Sequence, residues 1–183
     1  MNFLNRTLAF DFGSANTVVC EKDHIVFDEE TMISVWPEGC IDVSREASIG
    51  CREGNRTYFP VSGGYVADSD HFEAYVKGVV KKLARFPRFR SVVIAMPDEL
   101  SDDKSGNRAF LDAFVKLKVK NVKTVPQSVA AVAGLGLQSG KYHLILDIGY
   151  GKARVSLVKD SCVLKTRLLK NVSGESWISE IRT

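Results

Sequence analysis

One unit of pattern occurs twice in this chain, and that repeat leaves few folds open. Residues 7–12 are an apolar run closing on Asp11 and Phe12, Gly13 and Ser14 make a small-residue turn, and residues 16–20 lead back out. A third extended stretch covers 24–28. Residues 143–147, 153–158 and 162–168 repeat this strand, turn, strand, strand opening, with Asp147 ending the first run and Gly149 and Gly151 in its turn. Self-similarity at matching positions means that one supersecondary unit is used twice.

Between the copies the apolar period changes from two to 3.6. Phe72, Tyr75, Val76, Val79, Val80 and Leu83 form one stripe at helical spacing. Ser69 or Asp70 can cap that helix, Lys81, Lys82 and Arg85 suit the negative end of its dipole, and Pro87 closes it. Residues 91–96 are a continuous apolar run, expected as a strand buried on both faces. A second helix carries Phe110, Ala113, Phe114 and Leu117, with Ser101, Asp102 and Asp103 as its cap and acidic first turn. Gly106 weakens that helix by about 1 kcal/mol relative to alanine. A short strand over 122–125 and a small-residue helix over 128–137 lead into the second copy, and a last helix begins at Gly174. Further short strands are expected over 32–36 and 47–50, with a loop at 37–39 and a turn over 52–56. The predicted fold is α/β: three or more strands, helix, strand, helix, strand, helix, and the same beginning again.

Composition narrows the function classes. With 183 residues, 45% hydrophobic and 26% charged, the chain has the make-up of a soluble globular domain long enough to bury a core. A formal charge of +3 gives no argument for nucleic acid. Cys20, Cys40, Cys51 and Cys162 are scattered without zinc or dithiol spacing, which fits a reduced cytoplasmic protein. His24, His71 and His143 are isolated. No apolar run approaches the roughly 20 residues of a membrane span, and Phe3 and Leu4 read as a frayed terminus, too short to anchor alone. Lys116, Lys118, Lys120 and Lys123 read as a solvated rim, and the glycines before Lys141 lack the spacing of a Walker loop.

The two Asp-x-Gly turns carry the chemistry. Glycine lets backbone N–H groups approach phosphate oxygens without a side chain in the way. Asp11 and Asp147, each at a strand end, can hold a hydrated Mg²⁺ that neutralises those oxygens. One such turn is commonplace, and two at equivalent positions are far more informative.

The pair resembles the two phosphate loops of the actin, sugar-kinase and heat-shock-chaperone superfamily. The first, with Gly13, Ser14, Ala15, Asn16 and Thr17, is most similar to that of the MreB-type bacterial actins. Pro60, Gly64, Val66, Ala67, Asp68, Asp70 and Glu73 resemble the segment leading into that family's first long helix, and residues 92–97 the strand after it. Residues 126–137 resemble the connecting helix, and Gly174 and Glu175 the turn opening the helix of the second half. The resemblance implies an RNase-H-like, actin-like ATPase fold. Residues 1–137 would be its first half, with a reduced insertion about 29–58, and 138–183 the beginning of the second half, cut short. It implies ATP and Mg²⁺ as cofactors, with Gly13, Ser14, Ala15, Asn16, Thr17, Gly149, Tyr150, Gly151 and Lys152 around the nucleotide and Asp11 and Asp147 at the metal. Gln127 falls where eukaryotic actin has a water-orienting glutamine and MreB proteins a glutamate.

Departures from the pattern leave hydrolysis open. Lys152, Ala153 and Arg154 stand where the family has hydroxyl residues, and Tyr150 stands where bacterial actins have glycine. The function implied is an ATP-associated cytoskeletal protein of bacterial cell shape, related to filaments and located in the cytoplasm or against the inner membrane. Its partners would be itself, a protein supplying the missing half, or the cell-shape machinery, and no nucleic acid. The alternatives are a degenerate, partner-binding relative without hydrolysis and a small-molecule kinase of the same superfamily. A kinase needs a free carboxylate beyond Pro97, where Asp98, Glu99, Asp102 and Asp103 look like a helix cap. Weak, Mg²⁺-dependent nucleotide binding and self-association through the strands of 143–168 are the expected behaviours.

Overall fold

The computed structural model describes residues 6–49, 54–83, 91–100 and 104–182. In chain order it contains β1 (Thr7–Phe12), β2 (Asn16–Glu21), β3 (His24–Glu30), β4 (Ile33–Val35), β5 (Ile41–Val43), α1 (Arg45–Ile49), β6 (Arg56–Tyr58), β7 (Val61–Ser62) and β8 (Tyr65–Val66). There follow α2 (Ser69–Leu83), β9 (Ser91–Met96), α3 (Lys104–Lys116), β10 (Asn121–Pro126), α4 (Gln127–Gly134), β11 (His143–Ile148), β12 (Ala153–Lys159), β13 (Cys162–Leu169) and α5 (Gly174–Ile181).

The main sheet has five strands in the order β10-β9-β1-β2-β3, parallel across β10, β9 and β1 and antiparallel across β1, β2 and β3. Alternation sets its buried face. Leu8, Phe10 and Phe12 point one way from β1, and Phe10 lies in register with Val19 on one side and Ile94 on the other. Against that face α2 and α3 bring Phe72, Phe110 and Phe114. Ring centroids lie 5.0 Å apart for Phe10–Phe114 and for Phe12–Phe72, and 5.1 Å for Phe72–Phe110, in edge-to-face geometry. This is the βββαβα arrangement expected from the sequence. The strand β9 alternates between buried Val92, Ile94 and Met96 and half-buried neighbours, because only one face of the sheet carries the long helices.

Two small sheets ride on this layer. One has the order β5-β4-β6, and the other is the β7-β8 hairpin, which turns through Gly63 and Gly64 at φ 56° and 83°. Residues 47–50, expected as a strand, instead contribute Ala47 to Ile49 to α1, whose single buried side chain is Ala47. That helical turn starts after Ser44, which has a φ of 55° and reverses the chain. The three-residue strands β5 and β6 are too short to show a period, which is why the sequence did not reveal them. The stop at Pro87, the cap at Ser101 to Asp103, and Phe3, Leu4 and Cys51 lie outside the described residues.

The second copy is an antiparallel sheet ordered β11-β12-β13, joined to the first by α4. The helix that begins at Gly174 is capped by Ser173, whose hydroxyl accepts from the Ser176 N–H while the Ser176 hydroxyl accepts from the Ser173 N–H. Among the described residues no helix is long and apolar enough to cross a membrane.

The small sheet meets α2 at Gly78, where an added Cβ would lie 2.5 Å from a Val43 methyl and 3.2 Å from its Cβ. Gly78→Ala gains about 1 kcal/mol of helix propensity but overpacks the contact by about 1–3 kcal/mol. Its melting temperature is expected to fall. Combined with Val43→Ala it should lose less than the two single losses added together, as thermal unfolding of the four proteins would reveal. A rise in melting temperature for Gly78→Ala alone would mean that β5 does not press on the helix.

Candidate functional site

The parallel strands β1 and β9 end side by side, with Asp11 in register with Ala95. Everything just beyond those ends shares one edge of the sheet, the usual place for ligands in α/β folds. Gly13 closes the first loop by donating its N–H to the Asn16 carbonyl at 2.9 Å, and Gly149 closes the second by the same bond to Lys152, also 2.9 Å. The equivalence read from the sequence is therefore an equivalence of hydrogen bonding.

The two loops face each other. A Cβ on Gly151 would stand 2.5 Å from the Ser14 hydroxyl and 3.1 Å from the Gly63 nitrogen, so any side chain here would have to push the first loop and Gly63 aside. Between them is a cleft of about 220 Å³, lined by Asp11 to Asn16, Gly64, Gln127, Asp147, Gly149 to Lys152 and Arg154. That volume is below the roughly 300–1,000 Å³ of ordinary small-molecule pockets and suits a phosphate group. The second loop is fixed from behind by α5. Gly174 and Glu175 donate their N–H groups to the Gly149 and Tyr150 carbonyls at 3.1 and 2.9 Å. Thr17 does not line the cleft. It is buried on the other side of β2, where its hydroxyl bonds that of Thr31 at 2.8 Å.

An ion network fills the floor of the cleft. Asp147 and Arg154 are cross-strand partners on β11 and β12, and the guanidinium donates from Nε and Nη2 to Asp147 Oδ2 at 3.0 and 2.7 Å. From Nη1 it donates to Glu99 Oε2 at 3.0 Å, and from Nη2 it also reaches Gln127 Oε1. The Gln127 amide then donates to Asp11 Oδ1 at 2.6 Å. An amide held between a cation and a carboxylate has only one orientation that serves both. Lys152 pairs with Glu99, lies 5.1 Å from the centre of the Tyr65 ring and packs against Gly64. Asp98 lies deeper. It accepts from the Ser128 N–H at 3.0 Å, satisfying the start of α4, and from the Ser156 hydroxyl at 2.5 Å.

These contacts test the fit of a metal. A hydrated Mg²⁺ needs carboxylate oxygens that face open space. Arg154 instead holds Asp147 Oδ2 with two N–H groups, and Asp11 Oδ1 is taken by Gln127, which Arg154 also holds, so one oxygen of each aspartate is already engaged. Because the Arg154 charge already faces both aspartates, the residues present fit a divalent cation between them poorly. Glu99 was read from the sequence as part of a helix cap, and Arg154 only as a departure from a pattern. The available signal was positional, since Glu99 stands three positions past the end of β9, at the same sheet edge as the loop that follows β1.

Burial lifts Asp11 above its ordinary 3.8, partly offset by the Gln127 bond. Burial also pushes Glu99 up, but the Lys152 bond and the charges of Lys152 and Arg154 outweigh it and hold the carboxyl below its ordinary 4.5. Burial lowers Lys152 despite Glu99, whereas Arg154 is raised because Asp147 and Glu99 overcome its burial.

The family described as MreB/Mbl protein matches residues 5–183. A search of curated protein sequences found no match. The crystal structure of MreB5 of Spiroplasma citri bound to ADP superposes with a TM-score of 0.83 at 19% identity, covering 97% of this chain and 55% of that one. The same protein bound to AMPPNP gives 0.83 at 18% identity, covering 97% of this chain and 56% of that one. The MamK double helical filament gives 0.76 at 16% identity, covering 92% of this chain and 55% of that one. These likenesses establish an actin-like fold, and the chain spans about half the length of those structures.

The opposite pKa shifts give a sign test. A depressed Glu99 stabilises the fold above its ordinary 4.5, and that contribution is lost as pH falls through the folded-state value. A raised Asp11 contributes most below its ordinary 3.8, and its contribution is lost as pH rises through the folded-state value. Urea unfolding below about pH 5 should therefore show a shallower acid loss for Glu99→Gln and a steeper one for Asp11→Asn, each against the unsubstituted chain. Parallel profiles for all three would mean that neither carboxyl is coupled to folding.

Proposed function

The chain belongs to the MreB/Mbl family, and on that premise we propose that it is an actin-like filament protein of bacterial cell shape that holds nucleotide phosphates between its two loops. The observation that carries the reading is the meeting of the loops across one cleft, where Gly151 leaves no room for a Cβ beside Ser14. Gly13, Ser14, Ala15 and Asn16 on one side and Gly149, Tyr150, Gly151 and Lys152 on the other are assigned to the phosphates. An adenine nucleotide is the favoured ligand, on the analogy of the ADP and AMPPNP bound by MreB5 of Spiroplasma citri. Residues 1–137 are assigned to the first half of the fold and 138–183 to the opening of the second.

Gln127 is the residue assigned to orient a water. Each end of its amide makes one bond, to Arg154 and to Asp11, which fixes its orientation and leaves one lone pair and one N–H for a water. An amide cannot take the proton of that water, so hydrolysis is expected to be slow. The same network favours a second reading, a partner-binding actin-like protein without hydrolysis. It speaks against a kinase, because Glu99 is paired with two cations and Asp98 is buried beneath Ser156.

Titration with a fluorescent ATP analogue tests the leading reading. Weak, saturable binding displaced by unlabelled ATP is expected, and Gly151→Val, checked for folding by circular dichroism, should abolish it. No saturable binding to the unsubstituted chain, with or without Mg²⁺, would sink the proposal.

Self-association belongs to the same reading. Strand β11 presents Leu144, Leu146 and Ile148 on the side opposite Asp147, with Leu144 71% exposed, and Trp177, Ile178 and Ile181 of α5 are exposed as well. Such apolar surface beside an open strand edge invites association. The average mass in sedimentation is expected to rise with concentration and to rise less in Leu144→Glu. A concentration-independent monomer would contradict it.

A further inference from the structure

We propose that Arg154, seconded by Lys152, is a built-in replacement for the divalent cation, so that this cleft receives phosphate without a metal. The inference rests on the reading of the cleft as a phosphate site and concerns how its charge is balanced.

The argument begins with charge. Asp11, Glu99 and Asp147 bring three carboxyl groups to one small volume, and Lys152 and Arg154 bring two positive charges to the same place. Those two charges equal the charge of one divalent ion. They are covalently part of the chain and cannot diffuse away.

Position is the second argument. Arg154 is 3% exposed, yet it and Lys152 both line the cleft between the loops. Its fork bonds Asp147 and Glu99 and reaches Asp11 through Gln127, so it links the two aspartates that a metal would have to bridge. A planar guanidinium engages carboxylate and phosphate oxygens with fixed directions, as a coordinated ion does. A metal entering here would compete with the Arg154 guanidinium for Asp147 and would have to displace that ion pair. Lys152 completes the arrangement, since its ammonium reaches the cleft from the second loop and is steadied by Glu99 and the Tyr65 ring.

Loss of the free Mn²⁺ signal in electron paramagnetic resonance reads metal uptake directly, without nucleotide. The unsubstituted chain should leave the free Mn²⁺ signal unchanged at millimolar ion, and Arg154→Met should remove it in proportion to protein. Mn²⁺ uptake by the unsubstituted chain that Asp147→Asn abolishes would overturn the proposal. So would a folded Arg154→Met that takes up none. If Arg154→Met does not fold, Arg154→Lys serves, since it keeps the charge without the fork and should admit Mn²⁺ weakly; its complete exclusion of the ion would sink the claim that the fork is what blocks the metal. Fluorescent ATP then separates the two readings. Equal affinity in EDTA and in Mg²⁺, within about twofold, is expected, and a loss of tenfold or so in EDTA would overturn the metal-free site. A chain that takes up no Mn²⁺ until Arg154 is replaced, yet binds no nucleotide, would refute the nucleotide reading while leaving the charge replacement standing.

Discussion

A guanidinium withdrawn from water loses several kcal/mol of solvation, and protein groups must return it. Arg154 is buried and obtains that return from three elements at once: Asp147 on β11, Glu99 just beyond β9, and Gln127 at the start of α4. Asp147 and Arg154 belong to the second copy of the repeat, while Glu99 follows β9 of the main sheet and Gln127 opens the connecting helix α4. Their pairing therefore does more than fill a cleft. It fixes the relative position of the two copies at the edge where their loops meet, and α4 is held at the same point by Asp98 and Ser156. Removing one partner of such a group typically costs about 3–5 kcal/mol, because the charge left behind is not rehydrated.

The scaffold explains why this happens at the sheet edge. Phe10 and Phe12 commit one face of β1 to the aromatic layer under α2 and α3, so alternation sends Asp11 to the other face. On β12 the same alternation buries Arg154, Ser156 and Val158 in one row. The polar members of that row are tolerable only because Asp98, Glu99 and Asp147 stand opposite them.

Much of this was legible in the sequence. The repeat, the stripe from Phe72 to Leu83 and the paired Asp-x-Gly turns gave the α/β order and brought both loops to one site. These are local patterns whose period the chain states directly. The small elements were not legible. Ala47 has the composition of either a short strand or a helical turn, and its helical state follows from the reversal at Ser44. Thr17 was grouped with the loop by the resemblance to the bacterial actins, yet it faces Thr31, a partner fourteen positions away that no local pattern discloses. Arg154 was visible as an anomaly. What it does depends on Glu99, 55 positions earlier, and only the fold brings the two together.

Glu99 serves two cations, and this has a consequence for how such a chain can change over generations. Exchange of Arg154 for a small hydroxyl residue strands Asp147 and leaves Glu99 with Lys152 alone. Exchange of Glu99 alone strands Lys152 and leaves Arg154 with Asp147 and Gln127. Each intermediate is worse than either end point, so the charges of the cleft can be exchanged only in concert, and the effects of single substitutions there will not add. The network is a valley-bounded state: once a lineage has entered it, single steps lead downhill in stability whichever way they turn.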